Sequence, residues 1–315
     1  MKRSCSIQAP AKINLHLQVG DRRADGFHDL ESIVLSLAFG DTLRFELDEA
    51  GAGTPDGGIT MIGAPAGACG PIPADQNSIA RALALFKART GFDKPLRICL
   101  YKRIPLGGGL GGGSSDAAST LLALDALAGT RLSREVLASM AASLGSDVPF
   151  FLTGGAAWVR GRGEVIEPLP MPGPYWILLV NPGFPSGTGE AFDSLDAFRS
   201  ASQEPKDGGK GAPRGDLLRA LAGSPDSWPY RNDFLPVFLQ TGARERREAY
   251  RRMLADLAAL GAAFQGLSGA GSTCFGVFTQ KGAAAAAVHG LAERWMFARV
   301  TFFLARSAHA VVQYD

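Results

Sequence analysis

The chain has 315 residues, with 32 Lys and Arg against 30 Asp and Glu, for a formal net charge of +2. That near-balance offers no field for a polyanion such as nucleic acid, and no apolar run approaches the ~18 residues a membrane helix needs. The cysteines Cys5, Cys69, Cys99 and Cys274 stand without paired spacing, which excludes a disulfide framework or a zinc site and suits a reducing compartment.

Residues 9–19 alternate and read as a strand, with Ile13, Leu15, Leu17 and Val19 on one face and Lys12, Asn14 and His16 on the other. By composition alone, such a polar face is simply wet. Residues 20–28 form a turn-rich loop ending in Phe27 and His28, and an apolar strand follows over 30–39. Residues 50–76 are rich in Gly, Ala and Pro and read as loops between short strands. Gln76, Asn77 and Ser78 then open a helix with Ile79, Leu83 and Phe86 on one side. Residues 96–104 read as another strand, whose apolar face is broken by Lys102. That lysine is free to snorkel to solvent or to reach a phosphate.

The next stretch is Pro105-Leu106-Gly107-Gly108-Gly109-Leu110-Gly111-Gly112-Gly113-Ser114-Ser115-Asp116. Glycine lets a ligand approach the main chain closely, at an entropic cost that stability alone does not justify six times in seven residues. A helix follows, with Ser114 or Ser115 as its cap, Asp116 in its first turn, and Ala117, Leu121, Leu124 and Ala128 on one face. A glycine loop running into a helix N-terminus is an anion site. A second helix carries Val136, Leu137, Met140 and Leu144 and closes at Gly145. Asp147 then stands before Val148-Pro149-Phe150-Phe151, where an N-cap is the plain reading.

Short strands are expected at 156–159 and 165–166. The proline-dense stretch 168–174 marks a boundary, giving domains 1–170 and 171–315. A buried strand over 175–180 leads to Thr188 and Phe192, and 200–215 reads as a mobile insertion. The Arg-rich stretch 244–252 reads as a solvated helix with i,i+4 pairs, too little to carry a nucleic-acid-binding reading. A second glycine-rich turn spans 266–275, and an Ala-rich helix (282–295) and a strand (299–304) complete the pattern.

Which phosphate site the loop forms can be tested against its letters. A Walker A loop needs Lys before Ser or Thr, and none stands before Ser114 or Ser115. Gly107, Gly109 and Gly112 match the dinucleotide fingerprint, but a nucleotide-binding oxidoreductase also needs a second parallel strand after the helix, where this chain has another helix. The pattern Pro-x3-Gly-Leu-x-Gly-x-Ser-Ser at Pro105, Gly109, Leu110, Gly112, Ser114 and Ser115 resembles the ATP loop of the GHMP kinases. Pro10-Ala11-Lys12-Ile13-Asn14-Leu15, Asp25-Gly26-Phe27-His28 and Gly145-Ser146-Asp147-Val148-Pro149 resemble, in order, motifs of one branch, the diphosphocytidyl-methylerythritol kinases.

That resemblance implies an α+β fold of two domains, the first like ribosomal protein S5 domain 2 and the second ferredoxin-like, with the site in the cleft between them. It implies ATP and Mg²⁺ as cofactors and the 2-hydroxyl of diphosphocytidyl-methylerythritol, an intermediate of non-mevalonate isoprenoid synthesis, as acceptor. Asp147 is expected to take the hydroxyl proton, with Lys12 beside it to steady the charge. Asn77, Lys102 and every residue from Pro105 to Ser115 are expected on the ATP side, and Asn14, Phe27, His28, Thr188 and Phe192 on the acceptor side. Phe27 stands where the family carries Tyr, which keeps a stacking face and gives up a hydroxyl. Ser115 is the candidate for the metal. A small-molecule substrate, no nucleic-acid or membrane partner, a cytoplasmic location and a monomer or weak dimer complete the expectation. The alternative is another GHMP kinase, acting on mevalonate, homoserine or a sugar.

Overall fold

The computed structural model describes residues 3–47, 58–63, 76–202, 212–306 and 311–314. Most of the expected loop region 50–76, Cys69 and residues 203–211 of the expected insertion lie outside them. Two long strands begin the chain, β1 (Arg3–Arg22) and β2 (His28–Leu47), followed by β3 (Ile59–Ile62), α1 (Ser78–Thr90) and β4 (Leu96–Tyr101). Three helices come next, α2 (Gly112–Ala128), α3 (Arg134–Leu144) and α4 (Val148–Thr153), then β5 (Ala156–Gly161) and β6 (Val165–Leu169). The remainder runs β7 (Trp176–Asn181), α5 (Thr188–Ser202), α6 (Arg214–Leu221), α7 (Phe234–Gln240), α8 (Arg244–Ala259), β8 (Phe264–Leu267), β9 (Cys274–Phe278), α9 (Lys281–Ala292), β10 (Phe297–Phe302) and β11 (Val311–Tyr314).

The first sheet has the order β11-β1-β2-β4-β3, and β2 uses one half of its length for β4 and the other for β5, which pairs with β6. The second sheet has the order β10-β7-β9-β8. With α5 to α8 between β7 and β8 and α9 between β9 and β10, this is the split βαβ pattern of a ferredoxin-like domain. The proline-dense stretch separates the two sheets, except that β11 returns to pair with β1 in the first.

Two elements differ in detail from what periodicity suggests. Strand β1 changes register between Pro10 and Lys12 and again between Asn14 and His16. An extra residue at such a bulge turns the following side chains to the other face. Ile13 and Leu15 therefore join one core cluster with Trp158 and Tyr230, while Leu17 and Val19 join another with Phe234 and Val237. His16 leaves the face of Lys12 and Asn14 and stacks on Trp158, with ring centroids 6.5 Å apart. The polar face of β1 is not wet, because Lys12, Asn14 and His16 are all buried.

Helix α2 starts at Gly112, with Gly111 as its N-cap and no side-chain cap bond, so neither Ser114 nor Ser115 is the cap. Ser115 to Leu121 are all buried, because α2 packs between the first sheet and helices α1, α3 and α4. No helix among the described residues is long and apolar enough to cross a membrane.

Candidate active site

The glycine loop lies where the two sheets meet, and its carbonyls are turned away from the cavity. Ser186 N–H donates to Gly107 O at 2.9 Å, Thr273 N–H to Gly108 O at 3.1 Å, and Ser268 Oγ to Gly109 O at 2.9 Å. Lys12 N–H donates to Leu110 O at 3.0 Å. Three of these four donors come from the C-terminal half, chiefly from the second glycine-rich turn. Gly109 has φ +75°, and a Cβ there would stand 2.1 Å from Ser268 O, so only glycine permits this approach. The first N–H groups of α2, which no helix can pair internally, open at the end of the loop.

Facing the loop is the pair expected from the two distant motifs. Lys12 Nζ lies 3.4 Å from Asp147 Oδ2 and donates to Asn14 Oδ1. Asn14 Nδ2 donates to Ser32 Oγ at 2.8 Å, and that hydroxyl donates to His16 O at 2.6 Å. The buried ammonium is thus held on its stem by a chain of neutral groups, while the Asp147 side chain remains 48% exposed. Asp147 occupies the N-cap position of α4 but has αR backbone angles and makes no side-chain cap bond. Its carboxylate is therefore committed to the cavity and not to the helix.

Loop and pair line a cavity of about 760 Å³ together with Asn14, beside Lys12, and with Phe27, His28, Thr188 and Phe192. The His28 ring stacks on Phe192 with centroids 4.9 Å apart, and its Nε2 lies 3.0 Å from Asp196 Oδ1. That contact places a proton on Nε2. Phe27 is 52% exposed, with the Arg162 guanidinium 4.8 Å from its ring centroid. A flat aromatic surface, an imidazole edge and guanidinium groups (Arg22 also lines the cavity) suit a planar base carrying phosphate.

Three expected ATP-side residues are committed to other contacts or packing. Asn77 is the N-cap of α1, its Oδ1 accepting from Ile79 N–H at 3.0 Å, and it does not line the cavity, whereas Ser78 and Arg81 do. Lys102 lines the cavity, but its ammonium is almost wholly buried beneath Gly112 and ion-paired with Asp41 and Asp116. Burial disfavours that ammonium, but the two carboxylates outweigh it and hold its pKa above the ordinary value. Ser115 is 0% exposed and turned into the packing of α2, so its hydroxyl is not presented to a metal in the cavity, which every residue from Pro105 to Ser114 lines. Sequence reasoning missed Asp41, Ser32, Asp196 and Arg162. Their signal was weak, because each is an ordinary polar residue whose partner lies far along the chain.

The fold and the loop define a class, and comparison with known proteins agrees with it. The family described as "GHMP kinases N terminal domain" matches residues 77–155, and "GHMP kinases C terminal" matches residues 213–295. A 4-diphosphocytidyl-2-C-methyl-D-erythritol kinase of Treponema pallidum (strain Nichols) is 38% identical over 297 residues, covering 93% of this chain and 96% of the relative. One of Anaeromyxobacter dehalogenans (strain 2CP-C) is 39% identical over 291 residues, 90% and 85% of the two chains. A crystal structure of a 4-(cytidine 5'-diphospho)-2C-methyl-D-erythritol kinase superposes with a TM-score of 0.76 at 33% identity, over 95% of this chain and 98% of the other. The mevalonate kinase of L. major, at 15% identity and a TM-score of 0.70, shares the fold. The chain belongs to the GHMP kinases and, within them, to the 4-diphosphocytidyl-2-C-methyl-D-erythritol kinase family.

Proposed function

We propose that this protein transfers the γ-phosphoryl group of ATP to the 2-hydroxyl of 4-diphosphocytidyl-2-C-methyl-D-erythritol. The observation that carries this reading is the Lys12–Asp147 pair, 3.4 Å apart and set between a glycine loop and an aromatic pocket. The loop residues 107–113 and the start of α2 hold the triphosphate through N–H groups and the helix dipole. The cytosine stacks on Phe27 beside His28 and Phe192, which leaves the polyol to reach Asp147. Asp147 takes the proton of the 2-hydroxyl as its oxygen bonds to the γ-phosphorus and the bond to the departing ADP oxygen breaks. General-base action of this kind is typically worth ~10² to 10⁴ in rate. Lys12 lies beside the migrating charge and stabilises it without moving.

Mg²⁺ supplies neutralisation of the β- and γ-phosphate oxygens when it is bound with the nucleotide. Among the described residues no three His, Cys, Asp or Glu side chains form a cluster that would hold a metal alone. That donor set fits an ion carried by phosphate oxygens and water, as magnesium prefers.

The test is an acceptor panel. The protein is incubated with ATP·Mg²⁺ and, separately, 4-diphosphocytidyl-2-C-methyl-D-erythritol, mevalonate, homoserine and galactose. Phosphorylation of the cytidine compound alone supports the reading. Turnover of another acceptor without it overturns the substrate and leaves the class.

A further inference from the structure

Beneath the glycine loop lies a group of charges that the phosphoryl transfer does not use. Lys102 just after β4, Asp41 on β2 and Asp116 on α2 are 3%, 0% and 3% exposed. Lys102 Nζ donates to Asp41 Oδ2 at 2.5 Å and to Asp116 Oδ2 at 2.9 Å. Asp41 Oδ1 also accepts the N–H groups of Arg103 at 2.5 Å and Ile104 at 2.8 Å, the residues that lead into Pro105 and the loop. Asp116 Oδ1 has no partner. A Cβ on Gly112 would stand 2.9 Å from Lys102 Nζ, so the ammonium lies directly against the backbone where the loop becomes a helix. The group therefore touches both ends of the loop.

Its charge count is uneven. Asp116 lies in the field of both Lys102 and Asp41. Of the other cations near the loop, Lys12 lies against Gly111 and is paired with Asp147, and Arg81 on α1 lines the cavity and donates to Leu144 O. The Arg103 guanidinium lies over Phe39 instead. Two ionised carboxylates on one ammonium would bury an uncompensated negative charge under the site of a triphosphate. A proton between the carboxyls removes it. Asp41 accepts three donors, from Lys102, Arg103 and Ile104. Asp116, with one donor and a bare oxygen, is where the proton sits, and burial holds its carboxyl at about 7.

We infer that Asp41, Lys102 and Asp116 are a positioning unit for the nucleotide loop, which ties both ends of the loop together and presents a neutral floor to the phosphates while Asp116 carries a proton. This deepens the reading of the loop as the nucleotide site and rests on it. Loss of the proton adds a negative charge below the phosphates, so ATP binds more weakly as pH rises through about 7. By the same linkage, binding ATP draws a proton into the protein.

The experiment measures affinity for a non-hydrolysable ATP analogue with Mg²⁺ by calorimetry at pH 6.0, 7.0 and 8.5, on the whole protein and on Asp116→Asn. The asparagine cannot ionise, and its amide can donate to Asp41. CDP affinity is measured beside it as a control at the aromatic pocket. The wild type is expected to lose ~5- to 10-fold more analogue affinity than Asp116→Asn between pH 6.0 and 8.5, the size of one added charge at short range in a partly screened site. CDP should bind both proteins alike. An identical pH dependence in the two proteins overturns the inference, as does a loss in Asp116→Asn that is the same for CDP and the analogue at every pH. A second measurement needs only the wild type: the enthalpy of analogue binding at pH 7.5 in buffers of different ionisation heat should report net proton uptake, and zero uptake or release overturns the inference. If the wild type binds no ATP analogue at any pH, the nucleotide reading itself fails, a result distinct from the others.

Discussion

Replacing Asp147 with Asn separates chemistry from stability because of where that carboxylate sits. Its side chain is 48% exposed, it makes no capping bond to α4, and its ion-pair partner is Lys12 at 3.4 Å. The pair joins a half-exposed carboxylate to a buried ammonium that keeps Asn14 as a partner, so its loss should fall between the ~0.2 to 1 kcal/mol of an exposed pair and the ~3 to 5 kcal/mol of a buried one. Asparagine keeps the shape and loses only the ability to take the hydroxyl proton. If Asp147 is the base, kcat falls ~10² to 10⁴-fold, a barrier increase of ~3 to 5 kcal/mol, while KM for either substrate stays within about threefold. The assay is steady-state phosphorylation of 4-diphosphocytidyl-2-C-methyl-D-erythritol with a parallel thermal melt. A kcat within about threefold of wild type would refute general-base action and leave Asp147 an orienting group. A loss of stability as large as that of a fully buried pair would instead refute the claim that this carboxylate carries no structural duty.

Three further outcomes follow. Gly109→Ala places a Cβ 2.1 Å from Ser268 O at a φ of +75°, so strain and overpacking should together cost ~2 to 5 kcal/mol. The melting temperature and the ATP affinity should fall together, and a variant that melts like wild type would contradict the packing described. Phe27→Ala should raise the acceptor KM by ~3- to 10-fold with the ATP KM unchanged, the usual worth of an aromatic stack, whereas Phe27→Tyr should stay within about twofold. Equal effects of both substitutions would mean that the ring face does not bind the base. Burial, with the Arg231 charge second, lowers the His16 pKa from 6.5 to about 4. The unfolded chain therefore binds this proton first, and the stability is complete above about 6.5 and is lost as pH falls through about 4. The loss amounts to ~3 kcal/mol. Urea midpoints at several pH values should show this slope in the wild type and a shallower one in His16→Gln, and parallel slopes would exclude His16 as its source.

Much of the site was legible because its residues stand in local patterns. The glycine run, the turn before Phe27 and His28, and Asp147 ahead of a Pro-containing helix are each read within a dozen residues. What could not be read was pairing across distance. Lys102 looked free because Asp41 lies 61 residues away and Asp116 was expected in the first turn of its helix. That expectation failed because α2 begins at Gly112, and glycine's poor helix propensity hides such a start. The alternation of residues 9–19 is real, but bulges at Lys12 and before His16 divide it between two core clusters, and a bulge leaves no mark on hydrophobic period. The proline-dense boundary was visible, while the return of β11 to β1 depends on long-range pairing that no local signal specifies.

The three carbonyls of Gly107, Gly108 and Gly109 accept from Ser186, Thr273 and Ser268, all beyond the boundary between the sheets. The loop is encoded in one half of the gene and shaped by the other. Two of these donors are main-chain N–H groups, which depend on the path of the second half, and one is the Ser268 hydroxyl, which depends on its letter. A chimera that joined the first half of this chain to the second half of a distant relative would carry every glycine of the loop, yet its shape would rest on whether the new half repeats that path and that hydroxyl.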